Sequence, residues 1–351
     1  MAPKFKGNSD DWLDDQSSRR SGKGTVISKK KKADALDSSE ANATVAEVFP
    51  RQCRVRLDET GEEILCGYRR ASVLGHAAGH AEEGERDRSP VAVGDRVQIE
   101  RSSPDSGTVK GICARRNLLA RPAPGRDRTQ KKVRQVIAAN VDVLVIVASV
   151  GEPEFSPGLV DRFLIAAESA GIHPVICVSK LDLLNGSERP WEMYADLGYE
   201  VFPCCAKKGQ GTVQLQERLE GLTAVFCGHS GVGKTSLLRV LLGTELGKVG
   251  AVSEATGKGR HTTSSAVLLE QKKFSAKTAW IDTPGVREFG LMNLEPEALP
   301  EFFPEFKELV CSTQGCLHYD QPGAEPGCLA HSLPRYPSYC RILESLLAGE
   351  N

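Results

Sequence analysis

One octapeptide constrains this chain more than any other feature. Gly228-His229-Ser230-Gly231-Val232-Gly233-Lys234-Thr235 fits GxxxxGK[ST] residue for residue. An apolar stretch, AlaValPheCysGly (224–228), precedes it, and SerLeuLeuArgValLeuLeu (236–242), beginning at Ser236, follows with helical spacing. Strand, glycine-rich loop and helix together make a phosphate cradle, because glycines let backbone N–H groups converge on phosphate oxygens and the helix N-terminus adds partial positive charge. In such a loop Lys234 bridges β- and γ-phosphates and Thr235 ligates Mg²⁺. A chain built around it needs a parallel sheet. Suitable apolar runs stand at 141–148, 174–179, 200–204 and 279–282, with a helix predicted over 158–170 from Leu159, Phe163, Ala166 and Ala167.

Three further motifs narrow the chemistry. AspThrProGly (282–285) ends a predicted strand some fifty residues downstream. There Asp282 would hold the Mg²⁺ hydration shell and the Gly285 amide would sense a γ-phosphate. Between the two lies GlyLysGlyArgHisThrThrSer (257–264), where Thr262 or Thr263 would complete the Mg²⁺ shell. Ser179-Lys180-Leu181-Asp182 resembles the [NT]KxD guanine motif, and Cys205-Ala206-Lys207 resembles SAK. Both stand at successive strand ends, so guanine is the base expected. Ser179 replaces the usual Asn, which predicts one weaker scaffold hydrogen bond. The base motifs precede the phosphate loop, the reverse of Ras-like order. That is a circular permutation, and it leaves the sheet and site intact because chain ends lie at the surface.

The chain has 351 residues, 45 Lys+Arg against 46 Asp+Glu, and 40% hydrophobic residues. This allows several domains and excludes a fibrous protein or wholesale disorder. No apolar run approaches the ~20 residues of a membrane span. The first 32 residues have no apolar core of a secretory signal. Eleven scattered cysteines suit reduced thiols, some metal-bound, in a cytoplasmic protein.

Residues 1–42 are polar, with Lys29–Lys32 the densest basic run, and read as a disordered basic arm that either solvates the chain or touches phosphates. Residues 43–114 hold five short β-rich segments (44–49, 53–57, 63–68, 96–100 and 108–112), with a loop from His76 to Arg88. These predict a small barrel, either an OB-fold or an SH3-like one. Residues 115–136 read as a flexible basic linker carrying Arg115, Arg116, Arg121, Arg126, Arg128, Lys131, Lys132 and Arg134 against the single acid Asp127. The permuted GTPase domain would then span 137–296. In 297–351, Cys311-x4-Cys316-x-His318 and the later Cys328 predict a closed structural Zn²⁺ site, with His331 and Cys340 as competing ligands.

Barrel, permuted GTPase and Cys–Cys–His–Cys element together resemble the ribosome small-subunit-dependent GTPase A family (RsgA/YjeQ). LeuValAspArgPheLeu (159–164), GlyArgHisThrThr (259–263) and AspThrProGlyValArgGluPheGly (282–290) carry the likeness further. Three residues depart from the family: Ser179 for Asn, Cys205 for Ser and His229 for Gln. Nine residues separate His318 from Cys328 where the family has five. The resemblance implies a multidomain fold of OB-like barrel, α/β circularly permuted P-loop GTPase and C-terminal zinc-binding helical element. It also implies a GTPase that hydrolyses GTP to GDP and phosphate late in maturation of the small ribosomal subunit, touching its rRNA and stimulated by it. Separately from the resemblance, a monomer is the expected form, although the sequence does not fix the oligomeric state. Val286 stands where Ras-like enzymes place a catalytic Gln, which predicts slow intrinsic turnover. His261 is either a replacement or a structural histidine. An ATPase or small-molecule kinase would explain the phosphate loop but not the base motifs. A non-enzymatic RNA-binding protein would leave Lys234, Thr235 and Asp282 unused.

Overall fold

The computed structural model describes residues 36–68, 86–87, 89–122, 133–186, 188–243, 266–271, 278–283, 291, 294–309, 316–319 and 329–349. Its first strands are β1 (Ala43–Phe49), β2 (Gln52–Leu57), β3 (Glu63–Gly67), β4 (Arg86–Asp87), β5 (Arg96–Ser103) and β6 (Ser106–Ile112). Alternate residues point inward, as the period-2 pattern requires: Val45, Cys53, Val55, Ile64, Cys66 and Val97 are buried in one core. Strand β1 pairs antiparallel with β2 and with β5, β2 with β3, and β5 with β6, while β3 runs parallel to β6. The ring therefore closes into a five-stranded barrel.

Three expectations need correction here. Leu36–Asn42 belong to the ordered structure, not to a disordered arm: Asp37 caps a 3₁₀ turn at Ser38–Glu40, and the Asn42 amide pairs with Ile99, donating to its carbonyl at 3.0 Å and accepting from its N–H at 2.9 Å. A side chain that satisfies a barrel strand's backbone in both directions offsets the entropy of ordering this stretch. The rest of the arm lies outside the described residues.

Arg86–Asp87, expected in a loop, pair in parallel with β8 (Val133–Ala139); of the remaining loop, 76–85 and 88 lie outside the described residues. The linker reading also fails at both its ends. Strand β7 (Leu118–Pro122) pairs antiparallel with β8, and Arg115 is buried in a two-pronged ion pair with Asp95, at 2.7 and 2.9 Å. Counting charges treated Arg115 as solvated, whereas its guanidinium fork is matched by one buried carboxylate and the Pro90 carbonyl. Residues 123–132, which carry Arg126, Arg128, Lys131 and Lys132, lie outside the described residues.

The α/β part comprises β9 (Val143–Ser149), α1 (Pro157–Ser169), β10 (His173–Ser179), α2 (Glu192–Asp196), β11 (Glu200–Pro203), α3 (Thr212–Arg218), β12 (Thr223–Cys227), α4 (Lys234–Leu242), β13 (Val267–Gln271) and β14 (Thr278–Asp282). Their order is β11-β10-β9-β12-β14-β13, parallel except for β13. Every residue of β9 is buried, as a central strand covered on both faces demands. Helices α3 and α4 cover one face through Leu215, Leu237, Leu238 and Leu241, packed with Trp280. Helix α1 covers the other, together with 3₁₀ turns at Pro296–Phe302 and Pro304–Glu308 and the last helix, α5 (Tyr336–Leu347). Strand β13 pairs on its free edge with barrel strand β1 at Glu47 and Val267, so barrel and sheet are continuous. The strands' carboxyl ends share one edge of the sheet, where ligands of open α/β folds bind.

Candidate guanine-nucleotide site

The phosphate loop leaves β12 at Gly228. That residue has φ 140°, and a Cβ there would lie 2.2 Å from the Val147 carbonyl oxygen, so only glycine fits beside the neighbouring strand. Val232 is buried and anchors the loop, while His229, Ser230, Thr235 and Ser236 are exposed along its rim and the first turn of α4. Lys234 Nζ donates to the carbonyls of Gly228 and His229 at 2.6 and 2.9 Å, which holds its charge over the loop. Partial burial pulls the Lys234 pKa below its ordinary value, against the opposing pull of Cys227 and Asp282. Burial likewise raises Asp282, and Lys234 partly offsets it. Thr283, next in DTPG, donates to the Phe226 carbonyl at 2.8 Å and ties the end of β14 to β12. A half-desolvated cation and carboxylate beside a glycine-lined cradle fit a triphosphate and its Mg²⁺.

The base motifs meet at the next strand ends. Ser179 Oγ lies 2.6 Å from the Val232 carbonyl and 3.2 Å from that of Ala148, within a buried seam. The short side chain thus reaches the phosphate loop itself. Ser179→Ala should leave the Val232 carbonyl unpaired at a cost of ~1–3 kcal/mol. Thermal unfolding and GDP titration check this; an unchanged midpoint and affinity would contradict it.

Lys180 occupies the left-handed region (φ 61°) and donates from Nζ to the Glu152 carbonyl. Leu181 donates its N–H to the Cys204 carbonyl at 3.3 Å. Asp182 accepts from the Cys205 thiol at 3.4 Å and from Lys207 Nζ at 3.3 Å. Desolvation alone would push its pKa up; the hydrogen bonds from Cys205 and Lys207 outweigh it and hold the carboxyl below its ordinary value. Ala206 sits in the turn between them. SKLD, CAK and the phosphate loop are therefore one constellation.

Several predicted residues lie outside the described residues: His261, Thr262, Thr263, Gly285 and Val286 at the switches, and Cys311 and Cys328 of the zinc quartet. Of that quartet Cys316 and His318 are described. Cys316 Sγ accepts the His318 N–H at 3.2 Å, and the imidazole packs on Phe306 at 4.9 Å between ring centres. Among the described residues no three metal-ligating side chains cluster.

The sequence reading missed the loop between β9 and α1. Glu152 enters through its carbonyl, which no side-chain motif can mark, and Pro153 Cδ lies 3.6 Å from where a Gly231 Cβ would stand.

Comparison with known proteins matches this arrangement. A family model described as RsgA GTPase matches residues 112–292. A small ribosomal subunit biogenesis GTPase RsgA from Chlorobaculum tepidum is 36% identical over 270 residues, covering 73% of this chain and 85% of that protein. The protein of the same name from Haemophilus influenzae is 36% identical over 295 residues, covering 77% and 82%. Among solved structures, YjeQ from Thermotoga maritima superposes with a TM-score of 0.62 at 28% identity, covering 88% of this chain and 98% of that one. YloQ, described as a circularly permuted GTPase, shares the fold at a TM-score of 0.56. With base motifs ahead of the phosphate loop, a barrel ahead of both and identity sustained over most of its length, this chain belongs to the RsgA GTPase family.

Proposed function

We propose that this GTPase acts in maturation of the small ribosomal subunit, binding the subunit's RNA and hydrolysing GTP faster when bound. The observation that carries the reading is the joining of Ser179 to Val232 and of Cys205 and Lys207 to Asp182 in a chain whose relatives bear that subunit's name. In the proposed mechanism Asp182 accepts from the guanine edge while the Lys180 stem covers the ring. Loop amides and Lys234 hold the β- and γ-phosphates. Water attacks the γ-phosphorus in line and GDP leaves, with Lys234 offsetting charge on the loose transition state. Mg²⁺, held by Thr235 and a switch threonine (Thr262 or Thr263) with Asp282 on its hydration shell, would supply further charge neutralisation. The Gly285 amide would report the γ-phosphate. His261, beside those threonines, would orient water in place of the missing Gln.

The barrel's strand order, with β3 parallel to β6 and β5 closing on β1, supports the OB-fold reading and an RNA contact. Phosphate contacts from the barrel, the arm and the cluster at Arg126, Arg128, Lys131 and Lys132 would make subunit affinity fall steeply with salt. Neutralising those four should flatten the slope and leave GDP binding intact; an unchanged slope would mean that the cluster does not face RNA. No helix of the described residues is long and apolar enough to cross a membrane. From the relatives' naming as small-subunit biogenesis factors we take the working place as the cytoplasm, and we propose a monomer as the working form.

Zinc belongs to the proposal too. Cys311, Cys316, His318 and Cys328 would hold one structural Zn²⁺, whose binding supplies folding free energy to an element with little core. Cys316→Ser should remove the metal, measured by elemental analysis, and loosen the C-terminal region while GDP still binds. Retained zinc would contradict the ligand set, and loss on replacing His331 or Cys340 in place of Cys328 would reassign the fourth ligand.

A further inference from the structure

The loop between β9 and α1 is gripped at two ends. At the nucleotide end, Ser149 pairs in register with Ser179, and its hydroxyl donates to the Pro153 carbonyl. The loop's Val150 N–H donates to the Ser179 carbonyl at 3.2 Å, its Glu152 carbonyl takes the Lys180 ammonium, and Gly151 presses on Leu183 so closely that a Cβ would lie 2.6 Å from Leu183 Cδ1. At the other end, Tyr194 donates from its hydroxyl to the Pro157 carbonyl at 3.1 Å and lies 3.0 Å from Asp161 Oδ1, in the first turns of α1. Asp161 is wholly buried and pairs with Arg335 at 2.8 Å.

Arg335 comes from the C-terminal segment, 174 residues away in sequence. Its guanidinium is also buried, 3.0 Å from Glu305 and stacked 4.5 Å above the Phe303 ring. Removing one partner from a charge cluster taken so completely from water would leave an uncompensated buried charge, so the cluster fixes the position of whatever it holds. What it holds is the start of α1, hence one end of the loop that supports Lys180 and touches the phosphate loop.

We infer that Arg335 is a positioning residue for the guanine nucleotide, acting through Asp161, Tyr194 and residues 150–156 on Lys180. The C-terminal segment thereby contributes to nucleotide affinity without touching nucleotide. The inference rests on the guanine-site reading given above and deepens it.

The test is a titration of the full-length protein with fluorescent GDP, in four variants chosen to keep the fold. Arg335→Lys keeps the charge but loses the fork. Tyr194→Phe removes only the hydroxyl that joins Pro157 to Asp161, and Ser149→Ala frees the loop's near end. The fourth combines Ser149→Ala with Arg335→Lys. Each single variant should raise the GDP Kd roughly two- to thirtyfold. The combined variant should fall short of the product of the two singles, because both act through one loop. Folded fractions are read in parallel by circular dichroism. A merely structural role for Arg335 would lower the unfolding temperature and leave the Kd of the folded protein unchanged. That result, or strictly multiplicative effects, overturns the inference. Asp182→Asn serves as the reference: if it shifts base preference while the Arg335 and Tyr194 variants bind GDP normally, only this inference falls. If it does not, the guanine-site reading falls and takes the inference with it.

Discussion

Lys234→Ala should lower GTP turnover by ~10²–10³-fold or more, the range seen when a preorganised charge is removed from a transition state. The structure says why the loss should be confined to chemistry and phosphate binding. Among the described residues Lys234 Nζ donates to the loop carbonyls of Gly228 and His229, and α4 is held to the sheet by Leu237, Leu238 and Leu241. The variant should therefore fold and unfold as the parent does. Single-turnover hydrolysis and thermal unfolding, measured side by side, check both halves. Near-parental turnover would remove the phosphate-loop assignment.

Asp182→Asn should turn base preference from guanine toward xanthine, by ~10²-fold or more, since a site built to pair polar edges rejects a mismatched partner strongly. The surroundings dictate the direction. Cys205 and Lys207 both donate to the carboxylate, so an amide there turns its oxygen to them and its NH₂ to the base. That presents a donor where guanine's exocyclic amine also donates and xanthine's 2-oxygen accepts. Because those same hydrogen bonds hold the Asp182 pKa below its ordinary value, the carboxylate stays charged through the neutral range. Guanine preference in the parent should then persist as pH falls and fade only once the carboxyl protonates, below the ordinary carboxylate range. Competition among GTP, xanthosine triphosphate and ATP measures this directly. Full retention of GTP preference in the variant would defeat the SKLD reading.

Local chemistry made much of this site legible in sequence. Gly228 to Thr235, Ser179 to Asp182 and Cys205 to Lys207 are short runs whose residue types follow from what they bind, and the reversed order announced the permutation. Strands at β9 and β10 followed from unbroken apolar runs. What stayed hidden depends on partners far along the chain. Arg115 reads as one cation in a basic stretch until Asp95 is folded against it, and Arg335 carries no local signal, since its partner Asp161 lies 174 residues away. Ser179 in place of the usual Asn predicts a weaker scaffold bond, and what the substitution alone does not show is the approach of the phosphate loop, which passes close enough for a hydroxyl to reach. Strands β7 and β8 are hidden by composition: Arg121 and Pro122 end β7, and Arg134 and Gln135 stand just before buried Val136 and Ile137 in β8, residues that suit a linker equally well.

The central claim, a GTPase switched on by the small ribosomal subunit, meets its most direct test in GTP hydrolysis with and without purified small subunits. The account predicts slow turnover alone, clear stimulation by small subunits that high salt abolishes, and no response in Lys234→Ala. Equal turnover with and without subunits, in protein that binds GDP normally, would contradict it.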